Sequence, residues 1–188
     1  MSVSPVNSLS QLLLNNSVQW PWYAVRVKSN FEQVTASVLA GKGYEQFAPT
    51  YKVRRAWSDR VKEIQVPLFP GYVFCRFDVS NRLGVLTTPG VVNIVSFGRE
   101  PATVSNGEID AIQAIIRSNL HPQPWPFVGV GRKVLLERGP LKGIEGVVAE
   151  VKDSFRLVVS LTLLQRSVSV EVDRDWIRQV PEMELPRQ

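Results

Sequence analysis

Three prolines fall within five residues, Pro122, Pro124 and Pro126, and they limit what this chain can fold into. Each lacks a backbone N–H and pushes the residue before it toward extended geometry, so no helix can pass through the segment. Residues 121–127 therefore read as a semi-rigid linker with a different sequence pattern on either side. Upstream, strand-period and helix-period stretches alternate; downstream only the strand period remains.

In the first half, residues 22–27 alternate as a strand, and Ser29-Asn30-Phe31-Glu32 makes a capping-box pattern ahead of a helix. Phe31, Val34, Val38 and Leu39 recur at helical spacing until Gly41 and Gly43 end the run. Strands are predicted over 45–53 and 61–66, joined by the loop Arg54-Arg55-Ala56-Trp57-Ser58-Asp59-Arg60. In the stretch that follows, Pro67-Leu68-Phe69-Pro70-Gly71-Tyr72-Val73-Phe74-Cys75-Arg76-Phe77, an irregular bend leads into a strand with Val73, Cys75 and Phe77 on one face. Phe69 and Tyr72 flank that bend; such rings either pack in a core, as most aromatics do, or are presented to a partner. A short helix suits residues 81–86, and Thr88-Pro89-Gly90 turns the chain into an apolar strand over 91–96. Ser105-Asn106-Gly107-Glu108 repeats the capping box before a helix with Ile109, Ile112, Ile115 and Ile116 in one stripe. Residues 20–120 are thus expected to form an α/β sandwich, an antiparallel sheet with flanking helices.

Beyond the linker, strands are predicted over 133–137, 144–151, 157–161, 168–172 and 176–180, with turns at Arg138-Gly139-Pro140 and Lys152-Asp153-Ser154. Five short strands within residues 128–181 suit a small SH3-like β-barrel, whose closure removes exposed edges. The fold class expected is α+β in two domains, with a flexible Ser/Asn-rich tail at 1–19 and a second tail at 182–188.

Chemistry is constrained by what is scarce. One cysteine, Cys75, excludes an internal disulfide, and a single histidine leaves no zinc-type ligand set, so neither metal nor cofactor is expected. His121 lies in the proline linker with nothing nearby to orient it as a base. Gly129-Val130-Gly131 lacks the third glycine of a dinucleotide fingerprint and leads into a strand, so no enzyme is expected. Leu12-Leu13-Leu14 is too short for a signal sequence, no run approaches a membrane span, and a monomer in a reducing cytoplasm is the expectation. The net charge of +5 combines 22 basic with 17 acidic residues, a mixed surface that still suits a polyanion. Its basic residues concentrate at Arg26 and Lys28 and again at Lys52, Arg54, Arg55, Arg60 and Lys62, with Trp57 among them. That hairpin is either a solvated charged loop or a nucleic-acid contact in which cations meet phosphates and Trp57 offers a stacking face.

Taken together, Trp22-Tyr23, Phe69-Pro70-Gly71-Tyr72 and Thr88-Pro89-Gly90-Val91, in that order, resemble the NusG family of transcription elongation factors. Gly131-Arg132-Lys133-Val134 and Gly139-Pro140-Leu141-Lys142-Gly143-Ile144-Glu145-Gly146-Val147-Val148 resemble its KOW motif. The resemblance implies an NGN domain over 20–120 and a KOW barrel over 128–181. It also implies that an apolar concavity carrying Phe69 and Tyr72, with Tyr23, Val92 and Ile94 as neighbours, grips the clamp helices of RNA polymerase. Trp22 beside it is either core or part of that surface. DNA of the elongation complex would meet Arg26, Lys28, Arg54, Arg55, Trp57 and Arg60, and Asn81 and Arg82 lie where specialised paralogues touch the far side of the cleft. In the barrel, Leu163-Leu164-Gln165-Arg166-Ser167 stands where the housekeeping factor has an aromatic-glycine loop for ribosomal protein or termination factor. Leu163, Leu164 and Arg166 are either an apolar partner site or ordinary packing. The chain is therefore more similar to specialised paralogues of the RfaH, LoaP and UpxY kind, with a housekeeping factor or a ribosome-associated RNA-binding protein as alternatives. Valine-rich strand spacing and Gly139-Pro140, Gly143 and Gly146 further predict a barrel that stays β and stands free of the first domain.

Overall fold

The computed structural model describes residues 20–57, 60–128, 131–151 and 154–180. The tails expected at 1–19 and 182–188, the turn residues Ser58, Asp59, Lys152 and Asp153, and Gly129-Val130 lie outside the described residues. The fold is a mixed α/β arrangement, mostly strands with few helices.

The first half is built on a sheet in the order β2 (Glu45–Phe47), β5 (Tyr72–Arg76), β1 (Trp22–Val27), β6 (Val91–Ile94), with β9 (Thr103–Val104) also pairing β1. All its pairs are antiparallel, and β1 is central because its alternating residues are buried on both faces. Tyr23, Val25 and Val27 pack with Val73, Cys75, Phe77 and Ile94 under α1 (Glu32–Gly41). Trp22 and Ala24 face the other way, toward Phe74 and Ile109, Ile112 and Ile115 of α3 (Asn106–Arg117). The isoleucine stripe is buried as its spacing predicts, with Ile116 half-buried at its margin.

α1 does not bury the predicted face. Its buried residues are Glu32, Thr35, Ala36 and Leu39, whereas Phe31 and Val34 are exposed. Polar contacts set this rotation: the Gly71 N–H donates to Glu32 Oε1 at 2.7 Å, and Thr35 Oγ1 donates to the Pro89 carbonyl at 3.1 Å. Gly90, at φ +90°, passes so close to Thr35 and Phe31 that a Cβ there would collide with the Thr35 hydroxyl and crowd the Phe31 ring. Neither predicted capping box forms, since Phe31 and Ser105 at the helix starts make no side-chain cap bond and both glutamates are engaged elsewhere.

The predicted 45–53 strand breaks at Ala48-Pro49, where Pro49 offers only a carbonyl, taken by the Leu68 N–H at 2.8 Å. From there β3 (Thr50–Ala56) and β4 (Val61–Pro67) leave the sheet as a separate two-stranded ribbon. After a single 3₁₀ turn at Val79–Asn81 comes α2 (Leu83–Leu86), and a small hairpin of β7 (Ser96–Phe97) and β8 (Glu100–Pro101) ends the predicted 91–96 strand early.

The second half is an antiparallel six-stranded sheet, ordered β10 (Gln123–Trp125), β14 (Arg166–Val172), β13 (Ser154–Leu161), β12 (Glu145–Val151), β11 (Lys133–Leu136), β15 (Ile177–Gln179). The five predicted strands are all present, and β10 is an addition. Residues expected as linker pair instead with β14, because Gln123 and Trp125 keep the N–H groups that the flanking prolines lack, which an edge strand tolerates. Val134, Leu136, Leu157, Leu161, Val168 and Val170 form its core. Those residues belong to the same apolar cluster as Trp22, Phe69 and Phe74, so the two halves are in contact rather than free of one another.

Candidate functional site

Phe69 and Tyr72 flank the bend, and Gly71 at φ +83° makes the turn possible. Phe69 is only 2 % exposed, edge-on to Phe74 at 5.5 Å between ring centroids. The expectation of two presented rings therefore holds for neither fully: Phe69 is core, and Tyr72 is half-buried. The register places Tyr72 beside Arg26, and Asn93 beside Arg26 on its other side, so these three share the sheet face of Trp22 and Phe74.

Tyr23 and Ile94 are buried on the opposite face, with the Tyr23 ring 4.7 Å from that of Phe77. Burial pushes the Tyr23 phenol above its ordinary value, and the Asp78 carboxylate adds to the effect. Val92 is exposed. The five residues expected to line one concavity are thus split, since the two-residue period of β1 and β5 puts Tyr72 on the face opposite Tyr23 and Ile94. Trp22 is core, 1 % exposed, with the Arg76 guanidinium over its ring at 4.9 Å.

What lies on the bend is the second half of the chain. Arg166 Nη1 donates to the Pro70 carbonyl at 3.1 Å, and its guanidinium sits over the Tyr72 ring at 5.1 Å. Leu163 and Leu164 are half-buried against the cluster that contains Phe69. A second tie joins α3 to the loop after β13: the Thr162 N–H and hydroxyl donate to Glu108 Oε1 at 3.2 and 2.8 Å. Beside it an open cleft of about 660 Å³, lined by Glu108, Asp110, Phe127, Lys133 and Val159 among others, leaves the junction incompletely packed. The residues expected as an outward partner site are therefore engaged within the chain. Sequence reasoning took Glu108 as a cap and gave Thr162 no role; nothing local marks a tertiary bond between residues 54 apart.

The β3–β4 hairpin is differently placed. Thr50 to Ala56 pair with Pro67 to Val61 without a break, and the Trp57 N–H donates to the Arg60 carbonyl at 2.8 Å to continue the ladder. Arg54, Arg55, Lys62 and Trp57 are exposed, the last by 60 %. Lys52 pairs with Glu63 at 2.9 Å, and that ammonium, aided by Arg54, holds the Glu63 carboxyl below its usual range. Arg26 and Lys28 are exposed on the sheet rather than on the hairpin, and Asn81 and Arg82 are exposed before α2. Cys75 is buried, its thiol pushed up to about 12 mainly by desolvation and then by Glu45. No group of His, Cys, Asp and Glu suited to a metal ion occurs among the described residues, and no helix there is long and apolar enough to cross a membrane.

Residues 21–113 match the family model described as transcription termination factor nusG. The chain is 29 % identical over 167 residues to the transcription termination/antitermination protein NusG of Escherichia coli K12, covering 81 % of this chain and 92 % of that one. It is 28 % identical over 166 residues to the protein of that name from Vibrio vulnificus, covering 81 % and 91 %. Among solved structures, one described as domain interaction in Thermotoga maritima NusG aligns with TM-score 0.48 and 21 % identity, over 86 % of this chain and 97 % of that chain.

Proposed function

The chain belongs to the NusG family of non-enzymatic transcription factors, and from that premise we propose that it is an elongation and antitermination factor in which the first half, read as an NGN domain, binds the clamp helices of RNA polymerase. The observation that carries this reading is the sheet face on which Tyr72, Arg26 and the Pro70 carbonyl meet beside the buried Phe69-Phe74 pair. A rigid aromatic edge over an apolar layer is the kind of surface into which a helix pair docks, with a few anchors supplying most of the affinity.

The second half, read as a KOW domain, is proposed to recruit a further partner in the cytoplasm, and the absence of an aromatic-glycine loop at 163–167 argues for a specialised role without termination factor. Polymerase and the KOW tip compete for the same ground, because Arg166 already occupies Pro70 and Tyr72. Binding therefore requires the halves to separate at the bend. The test is co-purification of full-length protein with core polymerase and with its isolated clamp-helix fragment. Tyr72→Ala is expected to weaken capture by about 2 kcal/mol, with circular dichroism reporting the same fold and only a modest drop in melting temperature from the lost Arg166 contact. Undiminished capture would remove the clamp helices as the partner.

A further inference from the structure

The cleft at the junction of the two halves stays open although the halves are already tied beside it. Thr162 and Glu108, which both line it, are bonded to each other across the junction, and Arg166 holds Pro70 on the bend. With those ties made, a space of about 660 Å³ remains, within the range of roughly 300–1,000 Å³ over which proteins bury whole small ligands. It takes several side chains, not one. Phe127, Ile144 and Val147 are half-buried in its wall, so apolar surface faces the space together with Val159 and, from α3, Ala111. Around them the carboxylates of Glu108, Asp110 and Glu145 outnumber the one cation, Lys133. An acidic occupant is thereby disfavoured; apolar side chains accompanied by hydrogen-bond donors are matched.

A segment of that character enters the fold at the edge of the cleft. Trp22 pairs with Val104, and Ser105 is the N-cap of α3, so residues 20 and 21 join the sheet beside the first turn of that helix. Gly107, Glu108, Asp110 and Ala111 of the same turns line the cleft. Residues 1–19, which lead to this point, contain no Asp, Glu, Lys or Arg, and they carry Leu9, Leu12, Leu13 and Leu14 among serines, asparagines and glutamines. We propose that Leu12, Leu13 and Leu14 seat in the junction cleft, making the N-terminal segment an intramolecular ligand that bridges α3 to β12 and β13. The six steps of chain from Leu14 to Trp20 extend to about 20 Å, whereas Asn106 to Ala111 rises only about 7.5 Å along the helix. Reach is therefore sufficient. Ser10, Gln11 and Asn15 beside the leucines supply donors for carboxylates that can only accept. High affinity is not required, since a short tether gives an effective concentration in the millimolar range. The seat stands whichever partner the first half binds.

A nitroxide attached to the full-length protein at Ser10→Cys tests this through the NMR signals of isotope-labelled methyl groups. Cys75, the one natural cysteine, is buried, so the label goes to the introduced thiol. The methyl signals of Ile144, Val147 and Val159 are expected to lose most of their intensity, while those of Val27 and Val85, under the other face of the first sheet, keep theirs. Leu12→Ser with Leu13→Ser and Leu14→Ser strips the ligand and should restore the cleft signals. Gly107→Leu fills the seat and should restore them too; a Cβ there meets nothing closer than Ser105 Oγ at 3.7 Å. The triple serine variant should also speed deuterium exchange at the Thr162 amide several-fold, because one tie across the junction is gone. Cleft signals that keep their intensity, or lose it equally with Val27 and Val85, would overturn the seat. Loss that survives the triple serine variant would overturn the leucines as its anchor, and unchanged exchange at Thr162 would overturn the bridge. Loss seen only when the nitroxide and the isotope label are on separate molecules in a mixture would give the cleft to a second copy and overturn the intramolecular assignment.

Discussion

The aromatic bend and the basic hairpin are adjacent in sequence and opposite in circumstance. At the bend, Phe69 is buried, Tyr72 is capped by a guanidinium, and the nearest backbone carbonyl is occupied by the same arginine. In the hairpin, Arg55, Trp57 and Lys62 stand exposed on a ribbon that pairs with no other strand among the described residues. In the sequence each stretch is a candidate surface with a plainer alternative, core packing for the rings of the bend and a solvated loop for the hairpin, yet only one is open. A candidate interface can thus be stored against its own chain, and its availability is then an equilibrium between the halves rather than a property of the residues alone.

The largest expected difference between the two regions is in stability. Phe69→Ala removes a ring packed on Phe74 and should cost about 3–5 kcal/mol, whereas Trp57→Ala at the ribbon tip should stay within about 0.5 kcal/mol. Thermal and urea melts of both variants decide it; a stable Phe69→Ala protein would mean that the bend is not core. Next in size is the latch itself. Arg166→Ala forfeits a charge-assisted bond and a ring contact, together about 1–2 kcal/mol. If that energy holds the halves together, polymerase capture should strengthen by up to about thirtyfold, and the amide of Gly71 should shift in NMR spectra. Weaker capture would instead make Arg166 part of the polymerase contact.

Much of this arrangement was legible in the residues, and the misses share a cause. The α3 stripe of Ile109, Ile112 and Ile115 and the five strands of the second half follow from periodicity, which depends only on local geometry. The two capping-box glutamates were misread because their partners, Gly71 and Thr162, lie 39 and 54 residues away. Tyr23 and Phe69 were misplaced for a similar reason: an aromatic's neighbours are set by which sheet face it takes and by what is docked on that face. The proline segment became a strand because its N–H groups recur every second residue, a pattern that composition alone conceals. The cluster of charges at 52–62 was visible, but its division into two faces required the cross-strand register.

Cys75, buried under α1 on the opposite face of the sheet that carries the bend, supplies a probe of that sheet. Its raised pKa means that the folded protein keeps the thiol protonated at pH values where the unfolded chain, near the ordinary 9.0, has lost its proton. The folded pKa lies above the unfolded one, so this contribution is complete below pH 9 and is lost as pH rises toward 12. The difference in stability between wild type and Cys75→Ala should narrow by about 1.4 kcal/mol per pH unit between pH 9 and about 12. Alkylation at pH 8 should be slow in the native protein and faster in Phe69→Ala. Equal rates in both would disconnect the bend from the sheet beneath it.

The smallest effect expected is the one that most sharply separates the two faces of the hairpin. On one face Arg55 stands opposite Lys62, above the half-buried Tyr51, Val53, Ile64 and Val66; the other face is averted from the body of the protein. Glu63 is exposed and lies between Lys52 and Arg54 on the averted side, so Glu63→Gln removes a negative charge without touching Arg55, Lys62 or Trp57. Charges on opposite sides of a ribbon are still within a Debye length of one another, about 10 Å at 0.1 M salt, so the added net positive charge should slightly tighten, at low salt, the DNA binding that the resemblance implies for this hairpin. At high salt, where that length falls to about 3 Å, the change should vanish. The slope of log affinity against log salt should then move far less than it does for Arg55→Ala with Lys62→Ala. A Glu63→Gln protein that binds several-fold more tightly at every salt concentration would place the DNA on the Lys52-Arg54 side and reverse the comparison.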